Sequence, residues 1–204
     1  GKTPIVVGGT GLYANSLIYG IEYDDIKLDE KYREELMKIA ETQEGLEKLY
    51  EEAKKIDEKA MAKISPNDKK RIIRILEIYK ATGKNKTEQE IQSRKNEVKY
   101  DYKVFGINIE RPILYERINK RVDIMLEQGL IDEVKKLIKK YPEFPTAMQA
   151  IGYKEIVQYL NNELTKEEAI EKIKQETRRY AKRQITWFKR IENLKWLDWL
   201  EETQ

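Results

Sequence analysis

The stretch Pro4-Ile5-Val6-Val7-Gly8-Gly9-Thr10-Gly11-Leu12-Tyr13 decides the fold class predicted for this chain. It opens with a short apolar run rich in β-branched residues, passes through three glycines and continues into larger apolar residues. This order predicts a buried strand at Ile5 to Val7, a tight loop and a helix start. The glycines allow positive φ angles and close backbone approach, and a helix N-terminus offers free N–H groups to an anion or polar ligand. A strand-to-helix turn that binds no ligand fits these residues equally well.

The composition excludes several classes of chemistry. The chain has 204 residues, of which 40% are hydrophobic, so it can form a sizeable core. Its net charge is only +3, so a polyanion would have to bind a local basic patch. The sequence contains no cysteine and no histidine, which excludes disulfides, thiolate nucleophiles, histidine bases and ordinary zinc sites. Acid–base chemistry is therefore left to carboxylates and lysine.

The distribution of apolar residues predicts a cytoplasmic protein without a membrane segment. No apolar run approaches the roughly 20 residues that a membrane helix requires. The chain begins with Gly1 rather than methionine and enters the apolar run almost at once. We therefore expect an N-terminal part of the natural protein to precede it.

Residues 24–101 have helical periodicity. Asp29 is predicted to cap a first helix, and Ser65-Pro66-Asn67-Asp68 supplies capping residues for a helix from Arg71 to Tyr79. Lys70, Arg71 and Arg74 share one flank of that helix because they lie three or four residues apart. This flank is either a solvated basic face or a place where guanidinium groups bind phosphate.

The spacing of apolar residues changes from helical to alternating at residue 102. Alternating apolar residues predict a strand from Val104 to Ile109, and Arg111-Pro112 opens a long helix. Arg117 and Arg121 lie one turn apart on that helix, where two guanidinium groups can hold a diphosphate. Further along, Thr165 and Glu168 predict a capping box, and residues 194–198 predict a final short strand.

The glycine loop also matches a dinucleotide-binding pattern in form. Gly9 to Ala14 satisfies G-x-G-x-x-A, but that fold requires a second parallel strand within about 30 residues. None is predicted between Tyr23 and Val104, and the loop lacks the spacing of a P-loop. A nucleotide-binding oxidoreductase is therefore the weakest alternative.

Four separated blocks together resemble the tRNA dimethylallyltransferases. They are Val7-Gly8-Gly9-Thr10-Gly11-Leu12-Tyr13, Pro66-Asn67-Asp68 with Arg71 and Arg74, Gln149 to Glu155, and Thr177-Arg178 with Tyr180 to Phe188. The resemblance spans nearly the whole chain and the C-terminal two-thirds of the family pattern. It implies transfer of a dimethylallyl group from its diphosphate to N6 of adenine 37 in tRNAs that read codons beginning with U. It also implies Mg²⁺ as cofactor, and a P-loop-like motif and a catalytic aspartate before Gly1.

The resemblance implies roles for individual residues. Arg121 corresponds to the arginine at the diphosphate, with Arg117 beside it, and Thr10 corresponds to the threonine that contacts the target adenosine. Arg121 and Thr10 are the catalytic candidates, and no residue of the chain is implied as a metal ligand. The remaining residues implied in tRNA binding are Arg33, Lys70, Arg71, Ile72, Ile73, Arg74, Gln149, Ala150, Ile151, Gly152, Tyr153 and Lys154.

These observations together predict an α/β protein that is mostly helical by residue count. The core, formed by residues 1–23 and 102–204, is expected to resemble that of P-loop kinases and to be incomplete in this chain. Residues 24–101 are expected to form a helical tRNA-binding insertion. The expected partners are the anticodon stem-loop of tRNA and dimethylallyl diphosphate, with the protein a monomer and residues 1–204 inactive alone. A non-catalytic RNA-binding module is the main alternative.

Overall fold

A computed structural model of the protein describes residues 2–21, 29–93, 98, 100–141 and 147–199. The chain divides into two compact units. Gly1–Gly11 and Lys103–Gln204 form one, which we call the strand unit, and Leu12–Tyr102 form the other, which we call the helical unit. The division predicted at residues 23 and 24 lies outside the described residues.

The helical unit is built around one central helix. Its elements are α1 (Gly11–Ile18), which begins at the boundary, α2 (Glu30–Ile39), α3 (Gln43–Ile56), α4 (Glu58–Met61), α5 (Lys69–Thr82) and α6 (Lys86–Ser93). Helix α5 contacts α2, α3 and α6. The buried core of this unit consists of Leu36, Ala40, Leu46, Leu49, Ala53, Met61, Ile72, Ile73, Ile75 and Leu76. Because α5 contributes four of these ten residues, it is the centre of the unit.

Side-chain caps fix the helix ends of this unit. Asp29 accepts a hydrogen bond from the Tyr32 N–H at 3.1 Å, and Asp68 accepts one from the Arg71 N–H at 3.1 Å, so both predicted caps are confirmed. Buried Asp57 caps α4 and also holds the start of α6, since the Thr87 N–H and hydroxyl donate to it at 2.7 and 2.6 Å. One short carboxylate thereby connects two helices about 30 residues apart in sequence.

In its described residues, the strand unit combines one parallel strand pair with four α-helices. Its elements are β1 (Phe105–Asn108), α7 (Arg111–Glu127), α8 (Leu130–Lys140), a 3₁₀ turn at Ala147–Gln149, α9 (Tyr153–Leu160), α10 (Lys166–Phe188) and β2 (Lys195–Asp198). Phe105 pairs with Lys195, and Asn108 with Asp198. Both predicted strands are confirmed. Parallel strands require a long crossover, which the helices between β1 and β2 provide.

The core of the strand unit lies between its helices. Val122, Leu130, Val134, Ile156 and Ile173 are buried together, and α10 packs against α7 and α9. The predicted capping box at the start of α10 is confirmed: Thr165 and Glu168 exchange two backbone-to-side-chain hydrogen bonds. None of the described helices has the length and apolar composition that crossing a membrane requires.

The buried strand predicted at Ile5 to Val7 is wrong for this structure. Among the described residues this segment has no strand partner, and its three side chains are between 73% and 89% exposed. Apolar, β-branched composition favours a strand, but a strand is stable only when a neighbouring strand pairs with its backbone. The described strands pair with each other and leave this segment unpaired.

Candidate functional site

The glycine loop lies directly against α10. Gln184 Nε2 donates a hydrogen bond to the Gly9 carbonyl at 2.9 Å. A Cβ atom on Gly11 would overlap the indole of Trp187, at 2.5 Å from Cγ and closer still to Cδ1 and Nε1. Among the described glycines, those of the loop do not have positive φ angles. These glycines therefore serve close packing against α10 rather than an unusual backbone conformation, and the neighbouring Thr10 side chain is exposed.

The two arginines predicted to hold diphosphate lie on the exposed surface of α7. The Arg117 guanidinium carbon lies 4.5 Å from the centre of the Trp199 ring, in a cation–π contact that fixes the side chain. Arg121 has no hydrogen bond or ion pair with the described residues. Because a guanidinium group carries five N–H donors, Arg121 offers an unused fork for a phosphate group.

A third arginine near these two has a structural role instead. Arg178 of α10 donates to Asn119 Oδ1 at 2.7 Å and to Glu171 at 2.8 Å. Its side chain is 21% exposed and ties α10 to α7. The basic residues of α10, which include Arg178, Arg179, Lys182 and Arg183, are therefore partly used for packing.

The segment from Gln149 to Lys154 turns sharply at its glycine. Gly152 has a φ angle of +98°, and its N–H donates to the buried carboxylate of Glu155 at 2.8 Å. This turn separates the 3₁₀ turn from α9, as expected for a glycine that interrupts a helical pattern. The side chains of Gln149, Ala150 and Lys154 are exposed around it.

Tyr153 of that segment is held by a hydrogen bond to another helix. Its hydroxyl donates to Glu133 Oε1 at 2.5 Å, across from α9 to α8. This hydrogen bond, with a smaller effect of burial, raises the pKa of Tyr153 above its usual range. The ring packs against the core of the strand unit. Tyr153 is therefore held in one position, which suits a side chain that lines a binding surface.

The helical unit carries the other group of predicted tRNA-binding residues. Arg33, Lys70, Arg71 and Arg74 are exposed. Arg71 Nε lies 3.3 Å from the capping carboxylate of Asp68. Arg33 and Arg74 both approach Glu77, at 3.7 and 3.8 Å.

The prediction that Ile72 and Ile73 contact tRNA needs a correction. Their side chains are at most 1% exposed and belong to the core of the helical unit. A helix turns about 100° per residue, so one run of five residues cannot point wholly to the surface. The exposed cations at positions 70, 71 and 74 flank this buried pair, and of these five side chains only theirs reach the surface.

Three features of these surfaces were missed at the level of sequence. Gln184 and Trp187 support the glycine loop, and Glu77 lies beneath two predicted cations. Glu77 carries a readable signal, because it is an acidic residue within the apolar run Ile75-Leu76-Glu77-Ile78 and follows Arg74 by three positions. Its pairing with Arg33 has no local signal, since the two residues are 44 positions apart.

The described acidic residues do not form a metal centre. No three of them come close enough together to hold a metal ion. Magnesium is usually bound through one or two carboxylates together with substrate phosphates, an arrangement that needs no cluster of three acidic residues.

A model of the IPP transferase family matches residues 1–191. The chain belongs to the IPP transferase family. A relative named tRNA dimethylallyltransferase, from Caldanaerobacter subterraneus, is 50% identical over 199 residues. The alignment covers 96% of this chain and 63% of that relative. The chain thus spans less than two-thirds of the length of this curated family member.

Two solved structures of the family resemble the chain. The full-length tRNA isopentenylpyrophosphate transferase from Bacillus halodurans is 44% identical, with a TM-score of 0.56 over 93% of this chain and 57% of that one. A eukaryotic dimethylallyltransferase, described as acting on tRNA, is 31% identical, with a TM-score of 0.72 over 98% of this chain and 52% of that one. The mostly helical fold with a small parallel sheet is therefore similar to family structures.

Proposed function

We propose that the protein carrying these residues is a tRNA dimethylallyltransferase. Its reaction moves a dimethylallyl group from dimethylallyl diphosphate to N6 of adenine 37 in tRNAs that read codons beginning with U. The family match over residues 1–191 carries this proposal. The relatives that bear this name, and the exposed arginines of α7, support it.

The reaction requires charge neutralisation at the leaving group. The N6 lone pair forms a bond to C1 of the dimethylallyl group while the C1–O bond to diphosphate breaks, and N6 loses a proton. The departing diphosphate gains negative charge, which Arg121 neutralises with its unused N–H groups, assisted by Arg117. We assign the base to no residue of the chain, and we therefore expect residues 1–204 alone to bind substrates without turnover.

Exposed residues of both units are proposed to contact RNA. Thr10 lies beside the target adenosine, and the turn at Gly152 receives the flipped base with Tyr153 held against Glu133. The cations Arg33, Lys70, Arg71 and Arg74 bind phosphates of the anticodon stem-loop. A core related to P-loop kinases, Mg²⁺ bound through the diphosphate, a monomeric state and a cytoplasmic location complete the proposal.

The test uses the protein in its full natural length. Incubation with unmodified tRNA and radiolabelled dimethylallyl diphosphate is expected to label the RNA. Arg121→Ala is expected to lower kcat by about 100-fold or more, as removal of one preorganised donor at a developing anion does. Arg179→Ala is the matched control, because Arg179 is an exposed arginine that pairs only with Glu176 among the described residues, at 2.6 Å.

Each outcome of this assay tests a different part of the proposal. Full activity of Arg121→Ala would remove Arg121 from the diphosphate site. RNA binding without labelling would instead favour the alternative of a non-catalytic RNA-binding module. Turnover by residues 1–204 alone would show that the base lies within this chain.

A further inference from the structure

Glu77 of α5 is a buried carboxylate without hydrogen bonds. The residue is 3% exposed, and neither side-chain oxygen has a hydrogen-bond partner among the described residues. Its neighbours in sequence, Ile75, Leu76 and Ile78, are all buried apolar residues. Burying an ionised carboxylate costs several kcal/mol or more unless opposite charges lie close by. A charge at this position therefore requires an explanation beyond core packing.

Two arginines from different helices surround this carboxylate. Arg33 Nη1 of α2 lies 3.7 Å from Oε1, and Arg74 Nη1 of α5 lies 3.8 Å from Oε2. These distances are too long for good hydrogen bonds but short enough for strong attraction in a partly buried setting. Since a guanidinium group has five donors, each arginine keeps N–H groups for another anion. Both side chains are about half exposed.

The charged residues around this cluster have both signs. Lys80, one turn beyond Glu77 on α5, is paired with Asp29 at 3.4 Å and lies 3.7 Å from the centre of the Tyr32 ring. The positive charge of Lys80 is therefore balanced by Asp29 within the helical unit. Arg33, Arg74 and Glu77 by themselves sum to a net charge of +1, and both arginines are exposed, whereas Glu35 and Glu52 add negative charge near Tyr32.

We propose that Glu77 is a positioning residue that holds Arg33 and Arg74 side by side as a preformed receptor for RNA phosphates. This inference rests on the proposed binding of tRNA. Without the anion between them, two neighbouring guanidinium groups repel each other and sample many rotamers. With it, both side chains are ordered before the RNA arrives, which lowers the entropic cost of binding. Because each arginine approaches a different oxygen of the same carboxylate, Glu77 keeps the two guanidinium groups close together.

A positioning role and a purely electrostatic role of Glu77 predict opposite effects of Glu77→Gln on RNA binding. Glu77→Gln removes one negative charge from a surface that binds a polyanion, so long-range electrostatics alone predicts tighter binding. Loss of positioning predicts weaker binding, since two long side chains must then be ordered by the RNA itself. The direction of the change in Kd therefore decides between the two explanations.

The experiment measures binding of an unmodified tRNA that reads a codon beginning with U, by fluorescence anisotropy with residues 1–204. Glu77→Gln is expected to weaken binding about tenfold, from the cost of ordering two arginine side chains. The slope of log Kd against log salt is expected to become shallower by about 0.7 to 0.9 for each RNA phosphate that the variant no longer neutralises. Glu44→Gln is the matched control, because Glu44 is 79% exposed, lies in the same unit and pairs with Lys48 rather than an arginine.

Further variants separate positioning from general damage to the fold. In a chain that already carries Arg33→Ala and Arg74→Ala, Glu77→Gln is expected to weaken binding no further, because its effect acts through those side chains. Glu77→Asp, which keeps the charge, is expected to recover part of the affinity. Circular dichroism identifies variants that fail to fold, and for a misfolded Glu77→Gln the aspartate variant is compared with wild type instead.

Three results would overturn the inference. Unchanged or tighter binding by folded Glu77→Gln would do so while leaving the proposed function intact. If Glu77→Gln weakened tRNA binding as much in the chain lacking both arginines as in the wild-type chain, Glu77 would have a purely structural role. Failure of the wild-type chain to bind tRNA would count against both this inference and the proposed RNA surface, whereas prenyl transfer by the full-length protein is scored separately.

Discussion

The contact between the glycine loop and α10 leads to a sharp prediction about stability. A Cβ atom on Gly11 would overlap the Trp187 indole, whereas a Cβ atom on Gly8 would have nothing within 4 Å. Gly11→Ala and Gly8→Ala therefore add the same methyl group three residues apart in the same loop, one into a ring and one into open space. Gly8→Ala is the matched control.

The magnitudes follow from these two surroundings. Alanine in place of glycine restricts the unfolded chain and stabilises a protein by about 0.4–1 kcal/mol where the folded backbone tolerates it. Both variants gain this contribution. Overpacking against a rigid ring costs about 1–3 kcal/mol, and Gly11→Ala alone incurs it. We expect Gly11→Ala to lower the free energy of unfolding by about 1 kcal/mol and Gly8→Ala to raise it slightly.

Gly9→Ala is expected to fall between these variants. Its Cβ would lie 3.0 Å from Gln184 Cδ and closer to Nε2, which is the flexible end of a side chain. Gln184 can move aside, but its hydrogen bond to the Gly9 carbonyl is then broken. A neutral hydrogen bond contributes about 1 kcal/mol, so the two effects nearly cancel.

Urea unfolding followed by tryptophan fluorescence measures the stability of the strand unit, which contains the glycine loop and α10. All three tryptophans, Trp187, Trp196 and Trp199, belong to the strand unit. A change of 1 kcal/mol corresponds to about 2–4 °C in Tm for a protein of this size. Equal stability of Gly11→Ala and Gly8→Ala would refute the proposed overlap with the ring. So would a penalty of Gly11→Ala that persists when Trp187→Leu replaces the ring by a smaller side chain.

Two further predictions concern side-chain hydrogen bonds between helices. Asp57→Ala is expected to cost about 2–3 kcal/mol, measured by urea unfolding, because the Thr87 and Ala60 donors are left without their acceptor. Burial raises the pKa of Asp57, but these hydrogen bonds outweigh it and hold the pKa below its usual value. Their stabilisation is therefore present above about pH 4 and lost as the pH falls through the lower folded pKa, so wild type should lose more stability in acid than the variant. Tyr153→Phe removes the bond to Glu133 and should cost about 1 kcal/mol at pH 7. Because the pKa of Tyr153 is raised, the stability difference between wild type and Tyr153→Phe persists below about pH 10 and disappears as the pH rises through the folded pKa. A difference in Tm between the two proteins that stays constant across pH 8–11 would contradict this expectation.

Much of the local structure could be predicted from the sequence. The caps at Asp29, Asp68 and Thr165 lie where the pattern of short polar residues before apolar periodicity predicts them. The strands at 105–108 and 195–198 were also predicted, although Ile5 to Val7, with the strongest strand composition, is unpaired. The difference is physical, because a cap is satisfied within one helical turn, whereas a strand depends on a neighbour elsewhere in the chain.

The helical periodicity, the caps, the excluded chemistries and the family can all be predicted from the sequence, since each depends on residue type and short spacing. Which residues meet across long separations depends on the tertiary structure. It brought Gly11 against Trp187, Arg33 to Glu77 and β1 beside β2, and it buried Ile72 and Ile73 between exposed cations. Packing in three dimensions fixes these contacts, and no pattern of a few consecutive residues encodes them.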